Sequence, residues 1–284
     1  MELPLVVGVD GSPASLVAVD WAADEVARHG LPLRLVHATL RQRHEGGPPE
    51  ARSERAAAED ILDTAAERAR RRDAEVKVSA EAVPEDAVRA LLHEAPHAVA
   101  LVTGAGGRGE LTGLLLGSVP SALAGCAPCP MIVVRGDVSG RHERILLGVT
   151  DPASGVEAVR FAFREAEARG CVLDAVRAWS RPAHEMTQPP LRAGDLGRRR
   201  EHAVSELLDA ALYDAALDRP AVRVRRATVE GSARKVLLRR SGAADLVIVA
   251  ARRGHGRFRP RLGRVAHGLL QHAECPVAVV PEGM

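Results

Sequence analysis

Short apolar segments alternate with longer amphipathic segments along the whole chain. The apolar run LPLVVGV (3–9) ends at Asp10, which predicts a buried β-strand. Ser12 and Pro13 then supply an N-cap and a first-turn proline, which predict a helix to about His29. The same alternation predicts five strands and four helices in the first half of the chain. The further predicted strands are LPLRLVHA (31–38), EVKVSAEAV (75–83), HAVALVT (97–103) and PMIVVR (130–135), and the further helices cover about 51–72, 84–95 and 118–126.

The second half of the chain repeats the pattern of the first. With an offset of 140 positions, residues 6–38 align with residues 146–178 and share several glycines and alanines. The ends of the halves also correspond, since APCPMIVVR (127–135) resembles AECPVAVVP (273–281). A repeat that includes both the start and the end of each half indicates that each half is a complete structural unit.

The chain is therefore predicted to contain two tandem domains, 1–137 and 143–284, joined by the linker GDVSGRHER (136–144). Domains of this size can bury a stable core of their own. Because the two halves resemble each other, we expect them to pack together as an internal pseudo-dimer. The formation of a further homodimer is left open.

Apolar strands separated by helices predict the fold class of each half. Strands that are apolar throughout are typical of a parallel sheet covered by helices on both faces. The prediction is an α/β protein with two doubly wound, open, five-stranded parallel sheets, each with the strand order 3-2-1-4-5. In such a sheet, ligands bind where the winding direction reverses, here between strands one and four. Those strands end at Asp10 and at a glycine-rich stretch.

The glycine-rich stretch TGAGGRGELTGLLLGS (103–118) resembles three kinds of phosphate-binding loop. A P-loop requires a Gly-Lys-Ser/Thr ending, and the stretch contains no lysine. Gly104, Gly106 and Gly109 match the dinucleotide fingerprint G-x-G-x-x-G. That fingerprint belongs to the first βα turn and requires an acidic residue about 20 positions later. This stretch follows the fourth strand instead, and the downstream stretch ALAGCAPC (122–129) contains no acidic residue. The fingerprint is therefore a weak match.

The third interpretation uses the wider spacing G-x2-G-x9-G-S. Gly104 and Gly107 would let backbone N–H groups approach a ligand, and Gly117 and Ser118 would begin a helix whose N-terminus attracts anions. The alternative is that Asp10 stabilises a turn and that the glycines form an ordinary flexible loop.

Together with VGVDGSP (7–13) and APCPMIVV (127–134), this spacing resembles the ATP-binding branch of the universal stress protein family, and the resemblance extends over both halves. The resemblance implies that ATP, with Mg²⁺, binds in the first half. It places the base and ribose near the end of strand two and near the turn after strand one, and the phosphates near Gly107 and the start of the fourth helix. The implied site residues are Val9, Asp10, Ala38, Thr103, Gly104, Gly107, Gly117, Ser118 and Val119.

The second half departs from this motif. In AARRGHGRFRPRLGRVAHG (250–268), Ala251 is aligned with the first glycine, and Gly254 is followed by eight residues instead of nine before Gly263. Arg264 replaces the serine of the motif, and Thr150 replaces Asp10. We expect a degenerate domain without ATP.

Two other interpretations of the second half stay open. Six arginines lie within 13 residues, 252–264, and guanidinium groups bind phosphates well. An anion site of different specificity would use Gly254, Gly263 and Arg264. Alternatively, the arginine-rich loop docks a partner protein.

The four cysteines predict neither a disulfide framework nor a metal site. Cys126 and Cys129 form a C-x2-C pair, and His272 and Cys275 occupy the matching positions in the second half. These four residue types could in principle bind zinc. Burial of Cys129 and Cys275 among apolar side chains is the favoured explanation. No histidine pair or serine has the spacing of a metal hydrolase or of a nucleophile elbow, so no catalytic residue is assigned.

Composition narrows the function classes further. Aromatic residues make up 2% of the chain, which argues against stacking platforms for single-stranded nucleic acid. Residues 1–143 contain 15 Lys and Arg against 21 Asp and Glu, whereas residues 144–284 contain 24 against 16. No signal peptide or membrane span is recognised, so we expect a cytoplasmic protein that does not bind membranes.

The sequence thus predicts a stress-response regulatory protein that binds ATP in its first domain, with no hydrolysis or very slow hydrolysis. Two alternatives remain. One is a nucleotide-independent scaffold that docks a partner through the arginine-rich loop, and the other is an α/β enzyme that uses an adenine nucleotide.

Overall fold

The computed structural model describes residues 2–39, 48–107, 116–136, 138, 141–150, 155–180, 190–251 and 262–282, with backbone alone for 48–53 and 190–196. Contacts divide the described residues into two compact units, one up to Val138 and the other from Arg141 onward. The predicted domain limits, 1–137 and 143–284, and the predicted pseudo-dimer stay predictions. Among the described residues, no helix is long and apolar enough to span a membrane.

The first unit is a five-stranded parallel sheet with helices between its strands. Its strand order is β3-β2-β1-β4-β5, and all four neighbouring pairs are parallel. The predicted order 3-2-1-4-5 is therefore confirmed. The elements are β1 (Leu5–Gly8), α1 (Pro13–His29), β2 (Leu33–Ala38), α2 (Pro48–Arg72), β3 (Val78–Val83), α3 (Ala87–Glu94), β4 (Ala100–Gly104), α4 (Ser118–Cys126) and β5 (Met131–Val134).

The second unit has the same topology. Its strand order is β10-β9-β6-β7-β8, which corresponds to 5-4-1-2-3 when its strands are numbered from its own start. Its neighbouring strands are again parallel. The elements are β6 (Arg144–Gly148), α5 (Val156–Arg169), β7 (Val172–Trp179), α6 (Pro190–Asp218), β8 (Arg223–Glu230), α7 (Ala233–Ser241), β9 (Leu246–Ala251), α8 (Arg264–His272) and β10 (Val277–Pro281).

Local sequence signals set the limits of α1. The Ser12 side chain accepts a hydrogen bond from the Ser15 N–H at 3.2 Å, and Pro13 begins the helix. The helix ends at Gly30, whose φ of 67° lies in the left-handed region that favours glycine. Gly170 ends α5 in the same way, with a φ of 61°. The first long helix of each unit therefore ends at a glycine that the chain geometry requires.

Helices cover both faces of the first sheet, and two glycines at strand ends show this directly. A Cβ added to Gly8 would lie 2.8 Å from Leu91 Cδ1 in α3, and one added to Gly104 would lie 2.5 Å from the Ala14 carbonyl oxygen in α1. The central strands between these helices are buried, and Val6, Val7 and Leu101 have no exposed surface.

An ion pair at equivalent positions of the two units has opposite polarity. In the first unit, Arg34 in β2 donates to Glu94 at 2.7 Å, and this hydrogen bond raises the pKa of Arg34 above its ordinary value. In the second unit, Asp174 in β7 accepts from Arg240 at 2.8 Å. Asp174 is only 2% exposed. The two charges have changed places while the pairing between strand and helix has been kept.

We predict that Arg240→Ala destabilises the protein by about 2–4 kcal/mol, because it leaves the buried Asp174 carboxylate without its cation. Urea unfolding of the full chain measures this change. The double variant Asp174→Leu/Arg240→Leu should recover most of the loss, since it removes both charges.

Arg71→Ala is the matched control. It breaks an ion pair with Glu67 whose side chains are 78% and 64% exposed, and such pairs contribute little to stability. A loss for Arg240→Ala no greater than that for Arg71→Ala would contradict the structural role given to the buried pair.

Candidate functional site

A cleft of about 210 Å³ lies where β1, β2 and β4 end and where α1, α3 and α4 begin. All nine residues that the sequence singled out in the first half line this cleft. They come from four separate parts of the chain, which only the fold brings together. The lining residues are Gly8, Val9, Asp10, Ser15, Val36, His37, Ala38, Ala87, Leu91, Thr103, Gly104, Gly106, Gly107, Gly117, Ser118, Val119 and Pro120.

Asp10 holds the turn after β1 and also lines the cleft. Its Oδ1 accepts a hydrogen bond from the Ser12 N–H at 2.9 Å. Gly107 lies directly beside this carboxylate, since a Cβ added to Gly107 would lie 3.1 Å from Asp10 Oδ2. The turn-stabilising role is therefore present, and the same carboxylate also contributes to the wall of the cleft.

Gly104 has a structural reason to be glycine that differs from the predicted one. A Cβ at this position would lie 2.5 Å from the Ala14 carbonyl oxygen and 2.9 Å from Ala14 Cβ. These atoms belong to the first turn of α1, which backbone geometry holds in place. The absence of a side chain at Gly104 thus allows α1 to pack against the end of β4, whereas the prediction explained it by the approach of a ligand.

The N-terminus of α4 presents its backbone donors at the cleft. Gly117 is the N-cap, without a side-chain cap, and its own N–H donates to the Ala105 carbonyl at 2.8 Å. The first N–H groups of a helix have no partner within the helix, and Pro120 has no N–H. The donors that α4 offers to an anion are therefore those of Ser118 and Val119, and Gly117 contributes shape.

Thr103 is a buried polar residue in the wall of the cleft. It is 5% exposed, and its Oγ1 has no hydrogen-bond partner among the described residues. An unsatisfied buried hydroxyl is costly, and such groups often mark a place where a ligand or water binds. This observation fits a ligand with polar edges.

The sequence did not assign His37 to the site. Its Nδ1 lies 2.6 Å from the Val9 carbonyl oxygen, at the point where the ladder between β1 and β2 ends. A carbonyl only accepts hydrogen bonds, so Nδ1 carries the proton. His37 directly precedes Ala38, on a strand that ends at the switch point. This position in the sequence could have identified His37 as a lining residue.

Other lining residues were missed as well. Ala87 and Leu91 come from the start of α3, and Val36 comes from β2. Their signal is topological, because the helix after the third strand also begins at the edge of the sheet where the strands end. They make one wall of the cleft apolar.

Strand register corrects the alignment of the second half. Leu5 pairs with Ala100 in the first sheet, and Ile145, at the same position of β6, pairs with Leu246. The equivalent positions around the glycine-rich stretch are therefore offset by 146. Ala250, and not Ala251, takes the place of Gly104.

The spacing of the motif is therefore intact in the second half, contrary to the sequence prediction. With the offset of 146, Arg253 corresponds to Gly107, Gly263 to Gly117, and nine residues separate each pair. Gly254, which was predicted to take part in a second anion site, has no glycine counterpart in the motif and lies outside the described residues. The motif has changed in residue type and not in length.

The second unit has also lost the carboxylate of Asp10 and the hydroxyl of Thr103. Thr150 takes the place of Asp10, and Val249 takes the place of Thr103. Gly263 is the N-cap of α8 and Arg264 its first residue, and both are exposed. At the end of β6, a cavity lined by Gly148, Val149 and Thr150 among others has about 10 Å³, which is room for about one water.

Cysteines do not contribute to the cleft. Among the described residues none forms a disulfide, and Cys129 and Cys275 are 5% and 1% exposed. Burial raises the pKa of the Cys126 and Cys171 thiols. A raised pKa keeps a thiol protonated at neutral pH, which makes it a poor nucleophile and a poor metal ligand.

The fold and the cleft define an α/β protein with two doubly wound units, in which the N-terminus of α4 lines a cleft at the switch point of the first unit. The sequence profile of the universal stress protein family matches residues 3–135 and 142–281, so the chain belongs to this family, in tandem form.

Two curated relatives from Mycobacterium tuberculosis illustrate the similarity. The chain is 31% identical to universal stress protein Rv2623 over 295 residues, which covers 100% of this chain and 98% of the relative. It is also 31% identical to universal stress protein Rv2005c, over 97% of this chain and 96% of the relative. A universal stress protein structure from Archaeoglobus fulgidus shares the fold, with a TM-score of 0.73, 15% identity and coverage of 99% and 98%.

We predict that Gly104→Ala destabilises the protein by about 1–3 kcal/mol, because its Cβ collides with the backbone of α1. Gly117→Ala should cost less, about 0.5–1 kcal/mol, because alanine is a poorer N-cap residue than glycine, whereas its Cβ would make only an ordinary contact with Pro120 Cδ at 3.4 Å. Denaturant unfolding measures both. Equal effects of the two substitutions would be inconsistent with this packing.

Proposed function

We propose that the first half binds ATP, with Mg²⁺, in the cleft, and that the protein is a stress-response regulator with no hydrolysis or very slow hydrolysis. The observation that carries the proposal is the convergence of four separate chain segments on one cleft at the switch point. The second half, which lacks the same side chains, serves as a structural partner. The cytoplasmic location stays a prediction, and the formation of a further homodimer stays open.

The two ends of the cleft differ in a way that suits a nucleotide. Val36, Ala87 and Leu91 supply an apolar wall at the end formed by β2 and α3, where a base would be buried. At the opposite end, the N–H groups of Ser118 and Val119 begin α4, where phosphate oxygens would accept hydrogen bonds.

The proposal places the ribose and base against the ends of β1 and β2. Val9, Asp10 and Ala38 line this part of the cleft. The Asp10 carboxylate would accept a hydrogen bond from a ribose hydroxyl. Thr103 Oγ1, which has no protein partner among the described residues, would gain one from the nucleotide after rotation about χ1.

The described lining residues offer little for hydrolysis. Asp10 is the single carboxylate among them, and its Oδ1 is already engaged by the Ser12 N–H. A general base must reach the attacking water, and phosphoryl transfer also needs charge stabilisation at the γ-phosphate. We therefore propose a binding protein whose nucleotide state is sensed by other molecules.

We predict that Gly117→Asp weakens ATP binding by at least about tenfold, because it places a negative charge beside the phosphate end of the cleft. Aspartate is a favourable N-cap residue, so α4 should still form. Isothermal titration calorimetry of the full chain with ATP and Mg²⁺ measures the affinity, and native mass spectrometry measures the stoichiometry.

Two controls make this test specific. Gly117→Ala adds a methyl group without charge and should keep ATP affinity within about threefold. Gly263→Asp makes the same charge change at the equivalent position of the second unit, where no atom lies within 4 Å of an added Cβ. One ATP per chain, lost in Gly117→Asp alone, supports the proposal. No binding by the wild type would favour the scaffold alternative, and rapid release of ADP would favour the enzyme.

We predict that Thr103→Val affects stability and binding in opposite directions. Removal of the unpaired hydroxyl should stabilise the ligand-free protein by up to about 1 kcal/mol, and loss of its hydrogen bond to the nucleotide should weaken ATP binding about three- to tenfold. Val249 already occupies the equivalent position of the second unit. Thermal unfolding without ligand and calorimetry with ATP give the two values, and unchanged affinity would remove Thr103 from the proposed site.

A further inference from the structure

The outer face of α6 carries an apolar stripe. Leu207 is 42% exposed, and Tyr213 and Leu217 are each 63% exposed. On the opposite side of the same helix, Leu208 and Leu212 are buried against the second unit. Tyr213 and Leu217, four positions apart, are adjacent on the helix surface, and Leu207 extends the apolar surface toward the start of α6, about 80° around the helix axis from Leu217.

The equivalent helix of the first unit provides an internal comparison. With the offset of 146, the buried Leu62 of α2 corresponds to the buried Leu208 of α6. At the positions of Tyr213 and Leu217, α2 carries Glu67 and Arg71, which form an exposed ion pair at 2.9 Å. An exposed ion pair in α2 therefore corresponds to an exposed apolar pair in α6.

The exposed charges of α6 next to Tyr213 and Leu217 are negative. Asp214 and Asp218 are exposed, and the last turn of this helix contains no basic residue. Carboxylates near a helix C-terminus interact unfavourably with the helix dipole, and α2 ends instead with three arginines. A cationic partner would relieve this repulsion.

We propose that this surface, formed by Leu207, Tyr213, Asp214, Leu217 and Asp218 and here called the α6 patch, docks a basic amphipathic helix of a partner protein. Apolar side chains of that helix would cover the stripe, and its lysines or arginines would meet the carboxylates. Two α6 patches from two copies would bring like charges together, and an anionic lipid surface would be repelled for the same reason.

The test uses a fluorescein-labelled, 18-residue peptide of leucine and lysine at helical spacing, titrated with the full chain. Fluorescence anisotropy should show binding that weakens at least about tenfold in Tyr213→Glu/Leu217→Arg. This double variant installs the ion pair of α2, so the helix is expected to remain intact, which circular dichroism confirms. Affinity for the wild type should fall with added salt.

The control variant is Glu67→Tyr/Arg71→Leu, which places the same apolar pair on α2 beside the two remaining arginines, Arg70 and Arg72. It should leave peptide affinity within about twofold. Equal binding by the wild type and by Tyr213→Glu/Leu217→Arg, or no binding at roughly 100 μM, would overturn the proposal. A wild-type dimer in sedimentation that this double variant dissociates would overturn it as well, because the occupant would then be a second copy.

Discussion

The parallel pairing of β1 with β2 on one side and β4 on the other is the constraint on which the site depends. Because the strands are parallel, their carboxyl ends meet at one edge of the sheet, and because the chain winds away from β1 in both directions, no crossover helix covers the gap between them. Asp10, Ala38 and Thr103, which are far apart in sequence, become neighbours around that gap. The cleft is thus a consequence of strand order.

The two units show how one architecture tolerates different surfaces. Their strand orders, helix positions and glycine helix ends agree, and even an ion pair between the second strand and the third helix is kept with its charges exchanged. The differences gather at the strand ends and on the outer face of the long helix. Core packing depends on volume and apolar character, whereas these outer positions are free to change without loss of the fold.

An asymmetric protein of this kind can divide its tasks. The proposed nucleotide site lies in the first unit, and the proposed α6 patch lies in the second. The first unit carries the acidic excess and the charged helix α2, while the second carries the arginine-rich sequence and the apolar stripe. If both proposals hold, ligand binding and partner recognition belong to different copies of the repeat, which is a simple way to evolve a regulator by duplication.

The sequence by itself determined the repeat and the order of the helices and strands. Apolar runs, Ser12-Pro13 and Gly30 act locally, so their effects are visible without the fold. Its resemblance to the universal stress protein family also named nine residues that line the cleft. Only the tertiary structure showed that the missing side chain of Gly104 makes room for α1 and that the Gly117 N–H donates to the Ala105 carbonyl. It also showed that His37 and Leu91 line the cleft. The strand register between β6 and β9 also corrected the sequence alignment of the second half, which had matched Gly254 to a glycine of the motif. These outcomes depend on atoms that are distant in sequence, and contacts of that kind leave no periodic signal along the chain.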